Sequence, residues 1–147
     1  MKNLLKLFRL DFLPRSTDLA LLVLRLWLGL SLVLLHGRAK LANFADMSQK
    51  FPDPFGAGPT VSLALAVFAE VFCSLLLVLG LFTRFAALCE MVLLGVAFSL
   101  VHRTALQGPQ SGELAFIYLA GFVMLFLAGG GRFTLDSKLG GKASASS

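Results

Sequence analysis

The apolar positions of this chain fall into long unbroken runs, not into the spaced stripe of a helix that is wet on one side. The runs cover Leu19 to Leu35, Val61 to Phe82, Phe85 to Val101 and Leu114 to Ala128, each interrupted at most by a single ionisable residue. A helix that is apolar all round is buried in protein or in lipid, and about 20 such residues cross a bilayer core of about 30 Å. The pattern therefore predicts an all-α fold: an integral membrane bundle of four transmembrane helices in up-down topology, the fourth slightly short. Ser16, Thr17 and Asp18 supply candidate caps for the first helix. Gly80 with Thr83 and Arg84 marks a tight turn between the second and third, and Gly129 to Arg132 ends the fourth. The stretch from Arg38 to Pro59 is polar and rich in proline and glycine, which predicts a capping loop with a short helix around Phe44 to Lys50.

Ahead of the first run, Lys2, Lys6 and Arg9 recur at helical spacing while Leu4, Leu5, Phe8 and Phe12 face elsewhere, until Pro14 breaks the pattern. This predicts a short amphipathic helix lying on an anionic leaflet. No small-residue cleavage site follows the first apolar run, so the segment is expected to be retained and not removed as a signal peptide. The expected organisation is an interfacial segment over 1–15, a four-helix membrane domain over 16–136 and a disordered tail over 137–147.

Composition agrees with lipid as the main solvent: of 147 residues, 57% are hydrophobic and only 14% charged, with a mean hydropathy of +0.84. A solvated shell around a core of this size needs roughly a quarter of its residues charged. The net charge of +5 is split among the flanks of the apolar runs and forms no basic stripe with interleaved aromatics, which argues against nucleic acid as a partner. Lys2, Lys6, Arg9, Arg15, Arg84, Arg132, Lys138 and Lys142 lie on one predicted side, and Arg38, Lys40, Lys50 and Arg103 on the other, which places both termini in the cytoplasm. Cys73 and Cys89 sit inside apolar runs with no metal-ligand spacing; they read as packing residues, although a hairpin turning near Leu81 brings them to similar depth.

Ionisable groups inside hydrocarbon cost a few kcal/mol each unless partnered, so Arg25, Glu70 and Glu90 stand out. In an up-down bundle they reach comparable depths and are expected to meet as a buried polar network. That network reads either as a proton relay or ligand wall, or as a structural ion pair fixing helix register. At the opposite ends of the helices His36, Lys40, His102 and Glu113 form a second group, a candidate ligand entrance suited to a quinone head or a small anion, or alternatively a set of headgroup anchors. His36 and His102 are the only histidines; haem ligation by the pair has no other support in the sequence. No metal motif, Walker loop, dinucleotide fingerprint or nucleophile elbow is present, and no catalytic residue is assigned.

The stretches LRLWLGLSLVLLHGRAKL, AEVFCSLLLVLGLFTRFAAL and GGGRFTLD together resemble the DoxX family, with Arg25, His36, Gly37, Lys40, Glu70, Gly80, Thr83, Arg84, His102 and the run Gly131 to Asp136 in order. The family comprises small four-helix bacterial membrane proteins, some linked to quinol oxidases or to thiosulfate oxidation with quinone as acceptor. The resemblance implies a bacterial inner-membrane protein that binds quinone or a similar ligand, at most as a subunit of a quinone-linked oxidoreductase complex with other membrane or redox proteins as partners. A structural or assembly partner without catalysis of its own, and a small proton or weak-acid carrier, are the alternatives. The outer loops hold no thiol pair, which speaks against disulfide chemistry.

Overall fold

The computed structural model describes residues 8, 10 and 16–140. The amphipathic segment expected over 1–15 lies outside these apart from Phe8 and Leu10, and so does the tail from 141 onward. Among the described residues every regular element is a helix. Helix α1 runs Thr17–Ala42, a short α2 covers Phe44–Met47, α3 spans Pro59–Leu79, α4 Thr83–Val101, α5 Glu113–Ala128 and α6 Leu135–Gly140. Three of them, α1, α3 and α4, are long and apolar enough to cross a membrane, whereas the apolar α5 has 16 residues, about 24 Å of helix. Helix α6 occupies the first residues of the stretch expected to be a disordered tail.

Local chemistry sets the helix ends. Ser16 accepts from the Leu19 amide at 3.2 Å and starts α1. Pro59 opens α3, where its missing N–H costs nothing. Gly80 ends α3 in the left-handed region at φ 69°, with Leu81 N–H donating to Leu76 O at 2.9 Å and Gly80 N–H to Leu77 O at 3.1 Å, a Schellman arrangement. Polar residues 38–42, expected in the loop, continue α1, so the loop is shorter than its composition suggests.

Three helices contain one π-helical turn each, Leu32–Gly37 in α1, Phe68–Cys73 in α3 and Ala97–Val101 in α4. A π turn inserts an extra residue and often accompanies a functional site. The core around Leu32, Cys73, Leu77, Ala86, Ala87, Leu94, Phe122 and Leu125 lies between α1, α3, α4 and α5. Close approach of α1 to α3 depends on glycine: a Cβ on Gly29 would stand 2.9 Å from the Ser74 carbonyl oxygen, and one on Gly37 would stand 3.0 Å from that of Glu70. Gly95, by contrast, faces open space and mediates no close contact.

Candidate functional site

The buried polar residues divide between two ends of the bundle, which we call the turn end (Gly80 to Phe82) and the loop end (residues 43–58). At the turn end Arg25, 1% exposed, donates through Nη1 to Leu77 O at 2.9 Å and Val78 O at 3.0 Å, and through Nη2 to Phe133 O. Its targets in α3 are last-turn carbonyls, of which Leu77 O also accepts from Gly80 N–H, and they carry the negative end of the helix dipole. Asp136 completes the same junction: Oδ1 accepts from Phe82 N–H at 2.8 Å, and Oδ2 accepts from Thr83 N–H at 3.0 Å and Thr83 Oγ1 at 3.1 Å, capping α4 from 53 residues away. Arg132 donates to Asp18 through its backbone N–H at 3.0 Å and through Nε at 3.2 Å. The Arg-Phe-Thr-Leu-Asp stretch is thus a latch across the starts of α1 and α4 and the end of α3.

This geometry separates the expected trio. Among the described residues Arg25 makes no ion pair with either glutamate; its charge is met by carbonyls. Glu90, 0% exposed, accepts from Ser74 Oγ at 2.7 Å through Oε1, while Oε2 is buried without a partner. Glu70 turns to the loop end, where Lys40 Nζ donates to both of its oxygens at 2.5 Å. The two side chains keep 19% and 10% of their surface, so the pair is shielded but reachable. Arg25 and Glu90 are buried as expected, but Glu70 belongs with Lys40. The physical reason is the close approach of α1 to α3 at Gly37, where an added Cβ would stand 3.0 Å from Glu70 O; Lys40 follows about one turn later, within reach of the Glu70 carboxylate.

The Lys40–Glu70 pair forms part of the wall of a cavity of about 730 Å³. His36, His102 and Tyr118 also line it, and the rest of the wall is largely apolar, with Leu32, Leu65, Ala66, Phe68, Val92 and Leu94 among its members. Phe51, Pro52, Pro54 and Phe55 of the 43–58 loop roof it, so the segment read as a cap covers the cavity. The loop is tied down by Asp53, whose carboxylate accepts from Gly58 N–H at 2.8 Å, Ala57 N–H at 3.1 Å and Ser62 Oγ at 2.8 Å. The Ser62 hydroxyl, then these amides, hold the Asp53 carboxyl below its usual range. His36 meets Tyr118 edge to face with ring centroids 6.1 Å apart. His102 Nδ1 lies 2.9 Å from Gln110 O; because a carbonyl only accepts, Nδ1 carries the hydrogen and Nε2 is left free for a second partner.

Of the expected entrance group, the structure brings His36, Lys40 and His102 to the cavity and leaves Glu113 outside it, exposed at the first turn of α5. Glu70 joins them from the other group. Tyr118 and Cys89 were not foreseen as wall residues. Their only signal in the sequence is a single Tyr and a Cys inside apolar runs, where packing is the ordinary reading. A volume near 730 Å³ falls in the range of small-molecule sites, which are mostly apolar with a few convergent polar groups.

Comparison with known proteins agrees with these features. The model of the DoxX family matches residues 20–103, which contain α3, α4, most of α1 and the Lys40–Glu70 pair. A Haemophilus influenzae protein described as uncharacterized is 30% identical over 97 residues, 64% of this chain, and the chain spans 64% of that relative's length. A second uncharacterized protein of Haemophilus influenzae is 34% identical over 111 residues, covering 71% of this chain and 80% of its own. No solved structure matches. With the family model covering more than half of its length, the chain belongs to the DoxX family.

Proposed function

We propose that this protein binds a quinone or quinone-like amphiphile in the cavity beneath the 43–58 loop, as a non-catalytic or electron-accepting subunit of a membrane oxidoreductase complex. In this reading residues 16–136 form one four-span, up-down domain in the bacterial inner membrane, with both termini cytoplasmic and the loop end facing outward. The observation that carries it is a largely apolar cavity lined by His36, Lys40, Glu70, His102 and Tyr118. A quinone carbonyl accepts hydrogen bonds, which Lys40 Nζ, an imidazole N–H or the Tyr118 hydroxyl can donate. On reduction the same oxygen needs a proton, and an imidazole beside a carboxylate is suited to deliver one near neutral pH. Arg25 and the latch hold the scaffold and take no part in this step.

The competing role for the pair is purely structural. Thermal unfolding in mild detergent, with and without ubiquinone and menaquinone analogues, separates the two. Binding predicts a saturable rise in melting temperature. The charge-free double variant Lys40→Gln/Glu70→Gln should still fold and lose most of that rise. A melting temperature that falls in the variant while the ligand response stays as in wild type, or a wild type without any response, refutes the assignment.

A further inference from the structure

The cavity has a side as well as a roof. Helices α3 and α4 are joined at the turn end, strapped by the Ser74–Glu90 hydrogen bond and still in contact along Phe68–Cys73, but beyond that π turn they part company. The first half of α3, Pro59–Val67, packs on the end of α1 and on α2, whereas Ala97–Val101 of α4 packs on α5. The cavity occupies the wedge between them. Its lining residues there are also outward-facing: Leu65 and Phe68 on α3 are 61% and 42% exposed, and Leu88 and Val92 on α4 are 42% and 60% exposed. A wholly apolar seam on the flank of a membrane bundle opens to hydrocarbon and not to water.

Resting on the reading that a quinone-like head binds beside Lys40 and Glu70, we infer that its ligand enters sideways from the bilayer and keeps a long apolar tail lying in the seam between Leu65 and Phe68 on one side and Leu88 and Val92 on the other. Phe51, Pro52, Pro54 and Phe55 line the cavity at its loop end, and the seam forms its apolar flank. The head is uncharged: both oxygens of Glu70 are already engaged by Lys40, so the wall presents a cancelled pair, and an anionic head such as a phosphate has to displace a carboxylate at close range. The ligand class is a neutral-headed, long-tailed amphiphile.

The test uses the full chain in lipid nanodiscs with two probes, decylubiquinone and the same benzoquinone head without a tail, and two variants that fill the seam, Val92→Trp and Leu65→Trp. Both positions already face outward, so the larger ring has room and the bundle is expected to fold. Wild type should be stabilised by both probes. In each variant affinity for decylubiquinone should fall at least about tenfold while that for the tail-less head changes by less than about twofold. Unchanged decylubiquinone binding in both variants overturns the seam while sparing the head site, and so does equal loss of both probes. If neither probe stabilises wild type, the head-site reading fails first and the seam with it.

Discussion

At the scale of single residues, the pair formed by Lys40 and Glu70 carries the most consequence. It bonds through both carboxylate oxygens at 2.5 Å and keeps little solvent contact. Removing one partner from a fully buried pair costs about 3–5 kcal/mol, chiefly because the other charge is stranded. With 19% of the Lys40 side chain still exposed, Glu70→Gln is expected to cost about 2 kcal/mol, read from unfolding in mixed detergent micelles. The double replacement Lys40→Leu/Glu70→Leu should recover most of that loss; a double variant as unstable as the sum of the singles contradicts the stranded-charge argument. Gly80 is the second sensitive point. It sits at φ 69°, and an added Cβ would meet the Thr134 Cα at 2.8 Å, an atom of the backbone that cannot swing aside. Gly80→Ala should therefore cost more than about 2 kcal/mol by loosening the latch, measurable as a lower melting temperature. Arg25, Glu70 and Glu90 are conspicuous in the sequence as charges in apolar runs. For Arg25 and Glu90 the partners are not, because carbonyls at a helix end and the Ser74 hydroxyl on the neighbouring helix leave no mark in residue pattern.

Helices as units were legible because an apolar run of span length has few alternatives. The predicted starts and ends of α3, α4 and α5 lie within a few residues of the observed ones, set by Pro59, Gly80 and Gly129. The π turns were not legible, since an i→i+5 ladder has no composition of its own. Nor was the close passage of α1 over Glu70 at Gly37, which brings Lys40 within reach of a carboxylate that its place in the apolar run assigns to the interior. Deleting Leu34 from the π turn of α1 should make the helix regular and rotate the segment beyond it by about 100°. Helical circular dichroism should be kept and quinone-dependent stabilisation lost; a retained ligand response would show that the π turn does not position Lys40. The loop offers a pH prediction. Asp53 has its folded pKa depressed by Ser62 and the 57–58 amides, so its contribution is present above the ordinary value of 3.8 and is lost as pH falls through the lower folded value. Asp53→Asn should flatten the strongly acidic end of the stability profile and leave the neutral region sloping as before; an unaltered acid limb would show that this cap does not contribute.

For the whole molecule, the two ends do different work. The turn end is a latch of Arg25, Asp18, Arg132 and Asp136 that fixes how α1, α3 and α4 meet, and the loop end is a cavity that collects His36, Lys40, Glu70, His102 and Tyr118. Residues far apart in the chain build both, which is why Arg25, His36, Lys40, Glu70 and His102 stand out in the sequence while their grouping does not. Photolabelling with an azido-quinone in nanodiscs, followed by mass mapping of the labelled peptides, tests the central assignment most directly. The account predicts label on the segments of α3, α4 and α5 that line the cavity, around 65–70, 88–97 and 114–118, suppressed by excess unlabelled quinone. Label spread over the lipid-facing side of α1 around Trp27, or label that unlabelled quinone does not displace, would contradict it.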